Sequence, residues 1–345
     1  MKNISRESSF IYSFTQSFTP FLSRGACLFS LLLFPAMFFS CIQAEDLSES
    51  ENEDTLKMHV KSSISSACIH TLDAFVFNPD GTMDCYQRIE NPGSAYTIAS
   101  GSGAKTLFLI ANSSRDRYEW SEIRNINTIA NLTCNLEDEK RNMPVMTCLK
   151  DVTAGEESFP DMLPLRSEIV LQTIRCDFSG KPYEGEHLTD VRVYLTYVNA
   201  SSCIVPSDRN TSLRMINPGM LDELCLETFK EKDIIMQSLN EDIGQQAVKA
   251  ACSLFCYANS PGEESIGSPY TKLVIEGKIG SDTYYYPVKI NPEGGGVAPG
   301  GRYVFDIVIT RTGATAPDGN LNEEDIEINM EIEQWREKEW YEIKF

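Results

Sequence analysis

LVIEGKIGSDTYYYPVKI, residues 273–290, decides how the chain folds. Leu273, Ile275 and Ile279 fall on one side of a first strand. Tyr284, Tyr286, Val288 and Ile290 fall on one side of a second, across Gly280-Ser-Asp282. Alternation with period two on both sides of a glycine-bearing turn predicts a β-hairpin, because successive strand side chains point to opposite faces. The pattern continues outward. Tyr303, Phe305, Ile307 and Ile309 predict a further strand. Ile326, Ile328, Met330 and Ile332 alternate with Glu327, Asn329, Glu331 and Glu333 in another, and Trp335, Trp340 and Phe345 close the chain. Upstream, Val170, Gln172, Ile174, Cys176 and Phe178 are expected on one face of a strand, and Val191, Val193, Leu195 and Tyr197 on one face of the next. Residues 254–257 return to a strand. Residues 217–246 read as a partly helical insertion, with Leu221, Leu224, Cys225 and Phe229 on one stripe and Pro218-Gly219 at its start.

The first half has the same character. Met58 and Val60 alternate with Lys57, His59 and Lys61. The run from Ile69 through Leu72-Asp-Ala-Phe-Val-Phe77 ends in Asn78-Pro-Asp-Gly81, strong turn chemistry. Lys105-Thr-Leu-Phe-Leu-Ile-Ala111 has the length of a buried strand. Residues 118–132 carry Trp120, Ile123, Ile126, Ile129 and Ala130 at helical spacing and are expected to form a helix. Residues 144–164 read as loop, with a domain boundary at 160–164. Many short strands, frequent turns and little helix predict an all-β chain of stacked sandwiches.

The amino terminus is of another kind. Residues 26–39 form an apolar run of signal-peptide length behind Lys2, Arg6 and Arg24, closed by Ser40-Cys41. Glu45, Asp46, Glu49, Glu51, Glu53 and Asp54 follow. This order resembles a bacterial lipoprotein signal, cleaved before a cysteine that is then acylated. Phe38-Phe39 depart from the strict motif, and the relaxed form resembles that of Bacteroidetes. The acidic stretch resembles the tag that sends lipoproteins of that phylum to the outer leaflet. The expected division is a lipoprotein signal over 1–40, an acidic tether over 41–55, and β-sandwich domains over 56–162 and 163–345. Cys41 is the expected lipidation site.

The chain has 345 residues and a formal charge of −20. Lys2, Arg6, Arg24 and Glu7 give the first forty residues +2, so the remainder carries −22. So acidic a chain repels nucleic acid and anionic head groups. Nine cysteines follow Cys41, irregularly spaced; buried thiols with one or two bridges are expected. His59, His70 and His187 are the only histidines, and none stands in a Gly-x-Ser-x-Gly or His-Glu-x-x-His context. Cys252 and Cys256 lack a second pair to complete a metal site. Residues 318–325 are rich in carboxylates but not in the order of an EF-hand loop. Gly294-Gly-Gly296 is followed by no Lys-Ser/Thr and is not a phosphate loop. No nucleophile–base set is visible, so no enzyme, cofactor or metal is expected.

Three stretches resemble the fimbrillin family, the type V pilus subunits of Bacteroidetes. They are residues 72–81, residues 105–112 with Met146-Thr-Cys148 downstream, and the carboxy-terminal set. That set comprises 284–290, Pro299-Gly-Gly-Arg-Tyr303 and its strand, Pro317-Asp-Gly319, and 326–335. The resemblance implies two tandem transthyretin-like Greek-key sandwiches with short helices in loops. It also implies assembly by strand exchange with other pilus subunits. Ile326, Ile328, Met330 and Ile332 are the strand-exchange candidates, expected to lie in their own sandwich in the monomer. Stalk subunits of that family are often trimmed after an arginine near the amino terminus, yet here none lies between Cys41 and Arg88. The expected function is a structural or accessory pilus subunit, lipid-anchored in the outer membrane at the cell surface and contributing to adhesion. The alternative is a surface lipoprotein that binds a host protein or glycan without entering a pilus.

Acylation at Cys41 is open to a direct check. Metabolic labelling with a fatty-acid analogue should mark the protein, and Cys41→Ala should abolish the label; retained label would refute the assignment.

Overall fold

The computed structural model describes residues 54–62, 69–93, 95–113, 120–205, 214–265, 267–321 and 325–334. The expected signal, Cys41, Cys68, Tyr118, Trp335, Trp340 and Phe345 lie outside them. The amino-terminal half contributes β1 (Asp54–Met58), β2 (Lys61–Ser62), β3 (Thr71–Phe77), β4 (Met83–Glu90), β5 (Tyr96–Ser100), β6 (Ala104–Ala111), β7 (Thr133–Asn135), β8 (Met146–Thr153), β9 (Glu157–Ser158) and β10 (Asp161–Pro164). The carboxy-terminal half contributes β11 (Ser167–Cys176), β12 (Thr189–Thr196), β13 (Val198–Asn199), β14 (Ser201–Cys203), β15 (Met215–Ile216), β16 (Met236–Ser238), β17 (Val248–Cys256), β18 (Lys272–Ile279), β19 (Asp282–Lys289), β20 (Gly301–Ile309) and β21 (Ile326–Gln334). The chain is all-β, as its alternation predicts. β1 opens at Asp54, inside the stretch expected to be tether, because Asp54 and Thr55 pair with Ser100 and Ala99.

In the first half, a three-stranded sheet in the order β5-β1-β9 accompanies a six-stranded sheet in the order β2-β10-β8-β6-β3-β4. In the second half the orders are β17-β11-β20-β21 and β16-β12-β18-β19. β7 pairs with β14 and so joins the two halves. Most pairings are antiparallel; β1 with β9, β2 with β10 and β11 with β20 are parallel.

The 273–290 hairpin forms in the expected register, with Leu273 opposite Val288 and Ile275 opposite Tyr286. Gly280 takes φ 63°, the left-handed backbone that a tight two-residue turn needs at its first position. Gly81, at φ 81°, closes the Asn-Pro-Asp-Gly turn by donating its N–H to the Asn78 carbonyl at 2.8 Å.

β3 and β6 read as nearly unbroken apolar runs because their sheet is buried on both faces. Leu72, Ala74, Val76, Leu107 and Leu109 pack with Leu56 and Met58 of β1 in one core. Phe75, Phe77, Phe108 and Ile110 face the other way. They join a core that runs without break through Trp120 and Leu136 to Ile169, Leu195 and Phe305.

Several local expectations are corrected. Residues 118–132 do not form one helix: Trp120–Glu122 is a 3-10 turn, and α1 is only Ile126–Ala130. Asn125 is extended there, bridging to Thr82 while its side chain caps α1. The insertion holds one short helix, α2 (Glu223–Leu226), capped by Asp222 rather than by Pro218-Gly219. Of the expected stripe Phe229 is buried, Leu226 of α2 is buried beside it, and Leu224 points to solvent. Residues 144–164 are mainly strand. In β11 a bulge between Leu171 and Thr173 leaves Gln172 exposed. Ile169 and Leu171 before it then share the core face with Ile174 and Cys176 after it, and the simple alternation through Val170 and Gln172 fails.

Phe108→Ala removes a fully buried ring from the doubly covered sheet. The expected cost is about 3–5 kcal/mol in urea unfolding. A loss under about 1 kcal/mol, typical of surface positions, would contradict burial on both faces.

Candidate functional site

The first and last described strands carry the features that distinguish this chain from a closed sandwich. β1 is the centre of its sheet. It pairs antiparallel with β5 from Asp54↔Ser100 to Met58↔Tyr96, and parallel with β9 at Lys57↔Glu157 and Met58↔Ser158. Leu56, Met58 and Val60 point into the core, and Lys57 points out. The chain then crosses between sheets at His59, whose N–H donates to the Ser158 carbonyl at 2.8 Å. It continues as β2 beside β10. Residues 54–62 and 157–162 thus run in parallel across both sheets. Without β1, β5 and β9 would lose their shared partner, and the apolar sites that Leu56 and Met58 fill would open.

β21 is the opposite case. It pairs antiparallel with β20 from Ile309↔Ile326 to Gly301↔Gln334, and its other edge has no strand partner among the described residues. The register puts Ile326, Ile328, Met330 and Ile332 on the same face as Ile309, Ile307, Phe305 and Tyr303. Ile326 is buried and Met330 half-buried, but Ile328 and Ile332 are each 44% exposed. Full burial of such a side chain stabilises by about 1.5–3 kcal/mol, and here much of that is unrealised. The strand pairs within this chain's own sheet, with half of its apolar face uncovered.

The remaining sequence candidates are placed within the packing. His59 stacks on Phe159 at 5.1 Å between ring centroids and meets the Glu157 carboxylate. The His70 N–H donates to Asn112 Oδ1. Asp318 accepts from Lys272 at 2.5 Å and Tyr197 at 2.6 Å. Against the raising effect of partial burial, these partners hold its carboxyl below the usual range. Tyr286 is fully buried, its hydroxyl donating to the Arg311 carbonyl, while Tyr285 stands on the opposite face. Gly294-Gly-Gly296 forms a turn in which the Gly296 N–H donates to the Asn291 carbonyl. Among the described residues no cluster of His, Cys, Asp or Glu is placed to hold a metal ion. Their eight cysteines, Cys252 and Cys256 included, are free thiols, without the expected bridge. No described helix is long and apolar enough to cross a membrane.

The sequence reading missed β1 as the centre of a sheet. The alternation of Leu56, Met58 and Val60 marked a strand there, but only the pairing with β5 and β9 makes it central. The reading also missed a buried ion pair, Arg166–Glu139, between the halves.

The family model described as major fimbrial subunit protein (FimA) matches residues 46–153. No curated protein matches the sequence. Solved structures match over most of both chains. A candidate cell adhesion protein of Bacteroides eggerthii is 14% identical with a TM-score of 0.64, covering 82% of this chain and 96% of that one. A candidate cell adhesion protein of Parabacteroides distasonis is 14% identical with a TM-score of 0.60, covering 82% and 100%. A fimbrilin of Porphyromonas gingivalis is 15% identical with a TM-score of 0.59, covering 82% and 98%. At these identities the likeness is one of fold.

Burial pushes the thiol of Cys85 up to about 11 and those of Cys176, Cys252 and Cys256 up to about 12. Alkylation needs the thiolate. At about pH 8, iodoacetamide should leave these four cysteines unmodified in the native protein and modify them after denaturation, as read by mass spectrometry. Native labelling of Cys252 or Cys256 would contradict their burial.

Proposed function

We propose that this chain, whose residues 46–153 match the family model of the major fimbrial subunit protein, is a structural or accessory subunit of a cell-surface pilus. It is anchored in the outer membrane by a lipid at Cys41 and contributes to adhesion. Its sandwich domains are 56–162 and 163–345, and its partners are other pilus subunits. The role needs no catalytic chemistry and no cofactor.

The observation that carries the assembly mechanism is the uncovered face of β21. An edge strand with free main-chain groups and exposed isoleucines is a ready donor for another sheet. Ile328, Met330 and Ile332 repeat the i, i+2, i+4 spacing of Leu56, Met58 and Val60. A β21 from one subunit therefore has the pattern to occupy a slot of the kind that β1 fills.

β1 of this chain has no arginine near it to serve as a trimming site. Arg88, the first arginine after Cys41, lies inside β4 and pairs with buried Asp73 at 2.9 Å. A subunit that keeps β1 has its own slot filled. It donates a strand but accepts none, which puts it at an end of the fibre as an anchor or tip. A surface lipoprotein that binds a host protein or glycan outside a pilus is the second reading. Two structural relatives that are candidate cell adhesion proteins are in keeping with it.

The double variant Ile328→Asp, Ile332→Asp separates these readings. Both side chains are already part-exposed, so the monomer should lose only about 1 kcal/mol relative to wild type. It should disappear from SDS-resistant ladders of surface-extracted pili. Unimpaired incorporation would overturn strand donation, and glycan-array binding by the monomer would favour the second reading.

A further inference from the structure

Leu165 and Arg166 alone connect β10 to β11, and both are buried. A two-residue joint with no solvent-exposed backbone is not a linker of the flexible kind. The excursion between β6 and β8 leaves the first half and docks on the second. β7 pairs with β14. The Leu136 N–H donates to the Ala200 carbonyl at 2.9 Å, and the Ile204 N–H donates to the Leu132 carbonyl at 2.9 Å.

Excursion, joint and carboxy-terminal sheet meet at one carboxylate. Glu139, 3% exposed, belongs to the excursion. It accepts from Arg166 of the joint at 3.1 Å, from the hydroxyl of fully buried Tyr257 just past β17, and from the Val145 N–H at 3.4 Å. Arg166 also donates to the carbonyls of Lys140 and Arg141, and its guanidinium lies 4.0 Å from the ring centre of Phe255 in β17. Arg141 in turn binds the Glu231 carboxylate through its N–H at 2.6 Å.

A buried ion pair of this kind adds little net stability, because desolvation opposes the attraction. Its directed bonds instead hold three chain segments in one geometry. We propose that the Glu139–Arg166–Tyr257 cluster is the lock of the joint, fixing the two sandwich halves as one rigid body. In an assembled fibre such a lock would keep a constant spacing between β1 and β21. The lock itself is a property of the isolated chain and stands apart from the pilus reading.

Hydrogen–deuterium exchange on the full chain tests it. In Glu139→Leu, Arg166→Met, both charges go and the volume is kept, so thermal melting should stay near that of wild type. Exchange at residues 132–143 and 163–168 should rise about tenfold or more, with β3, β6, β12 and β18 unchanged. Small-angle scattering should show a broader spread of distances. Wild-type exchange in the joint would overturn the lock, and a uniform rise through all sheets would equally overturn it in favour of plain destabilisation. Should the double variant fail to fold, Glu139→Gln keeps the shape while removing the charge. Faster exchange confined to the same two segments supports the lock, and wild-type exchange there refutes it.

Discussion

Phe75, Phe77 and Phe108 stand on one face of the six-stranded sheet, and Leu72, Val76, Leu107 and Leu109 on the other. Burial of both faces is the constraint on which the remaining structure depends. A sheet with one wet face would need polar residues at every second position, and β3 and β6 have almost none. One cover is the small sheet centred on β1. The other is the excursion bearing Trp120 and Leu136, which is also the part that docks on the second half. The same apolar runs that make the sheet of the first half therefore oblige the two halves to touch.

Double burial has a consequence for charge. Asp73 sits within β3 at 0% exposure, on the face turned to the second core. It is held by two bonds from Arg88 at 2.9 and 3.1 Å, by the Tyr86 hydroxyl at 2.7 Å and by Ser113 at 2.5 Å. Glu139 is treated the same way at the joint, where burial pushes its carboxyl above the usual range against the pull of Arg166. In a chain so acidic, most carboxylates repel one another in water and maintain solubility. Asp73 and Glu139, both taken inside, each come with an arginine and a tyrosine, because an unpaired buried charge costs several kcal/mol.

Edges complete the account. Among the described residues β1 has a neighbour on each side, whereas β21 has one. Exposed glutamates at 327 and 331 make β21 less adhesive to random strands, a common protection of sheet edges. Its other face keeps exposed isoleucines that a closed sandwich would cover. Among the described strands the first is fully enclosed and the last half enclosed.

Alternation in the sequence determined the all-β class, the 273–290 hairpin and its register, the strand of Tyr303 to Ile309, and the apolar face of β21. These are local matters, set by a period of two and by turns that need glycine. The resemblance to pilus subunits rested on the order of such stretches, and the family match over 46–153 agrees with it. Tertiary structure alone decided the rest. Trp120 to Ile129 has helical spacing, yet Asn125 is drawn into a bridge with Thr82, and the helix shrinks to five residues. The bulge after Leu171 shifts which residues of β11 face the core, and nothing in the alternation announces it. Glu139 stands in Leu136-Glu-Asp-Glu-Lys-Arg141, which reads as a solvated charge run. It becomes the buried centre of the joint because its partners arrive from 27 and 118 residues away. Contacts of that range depend on how sheets stack, and local periodicity carries no record of the stacking.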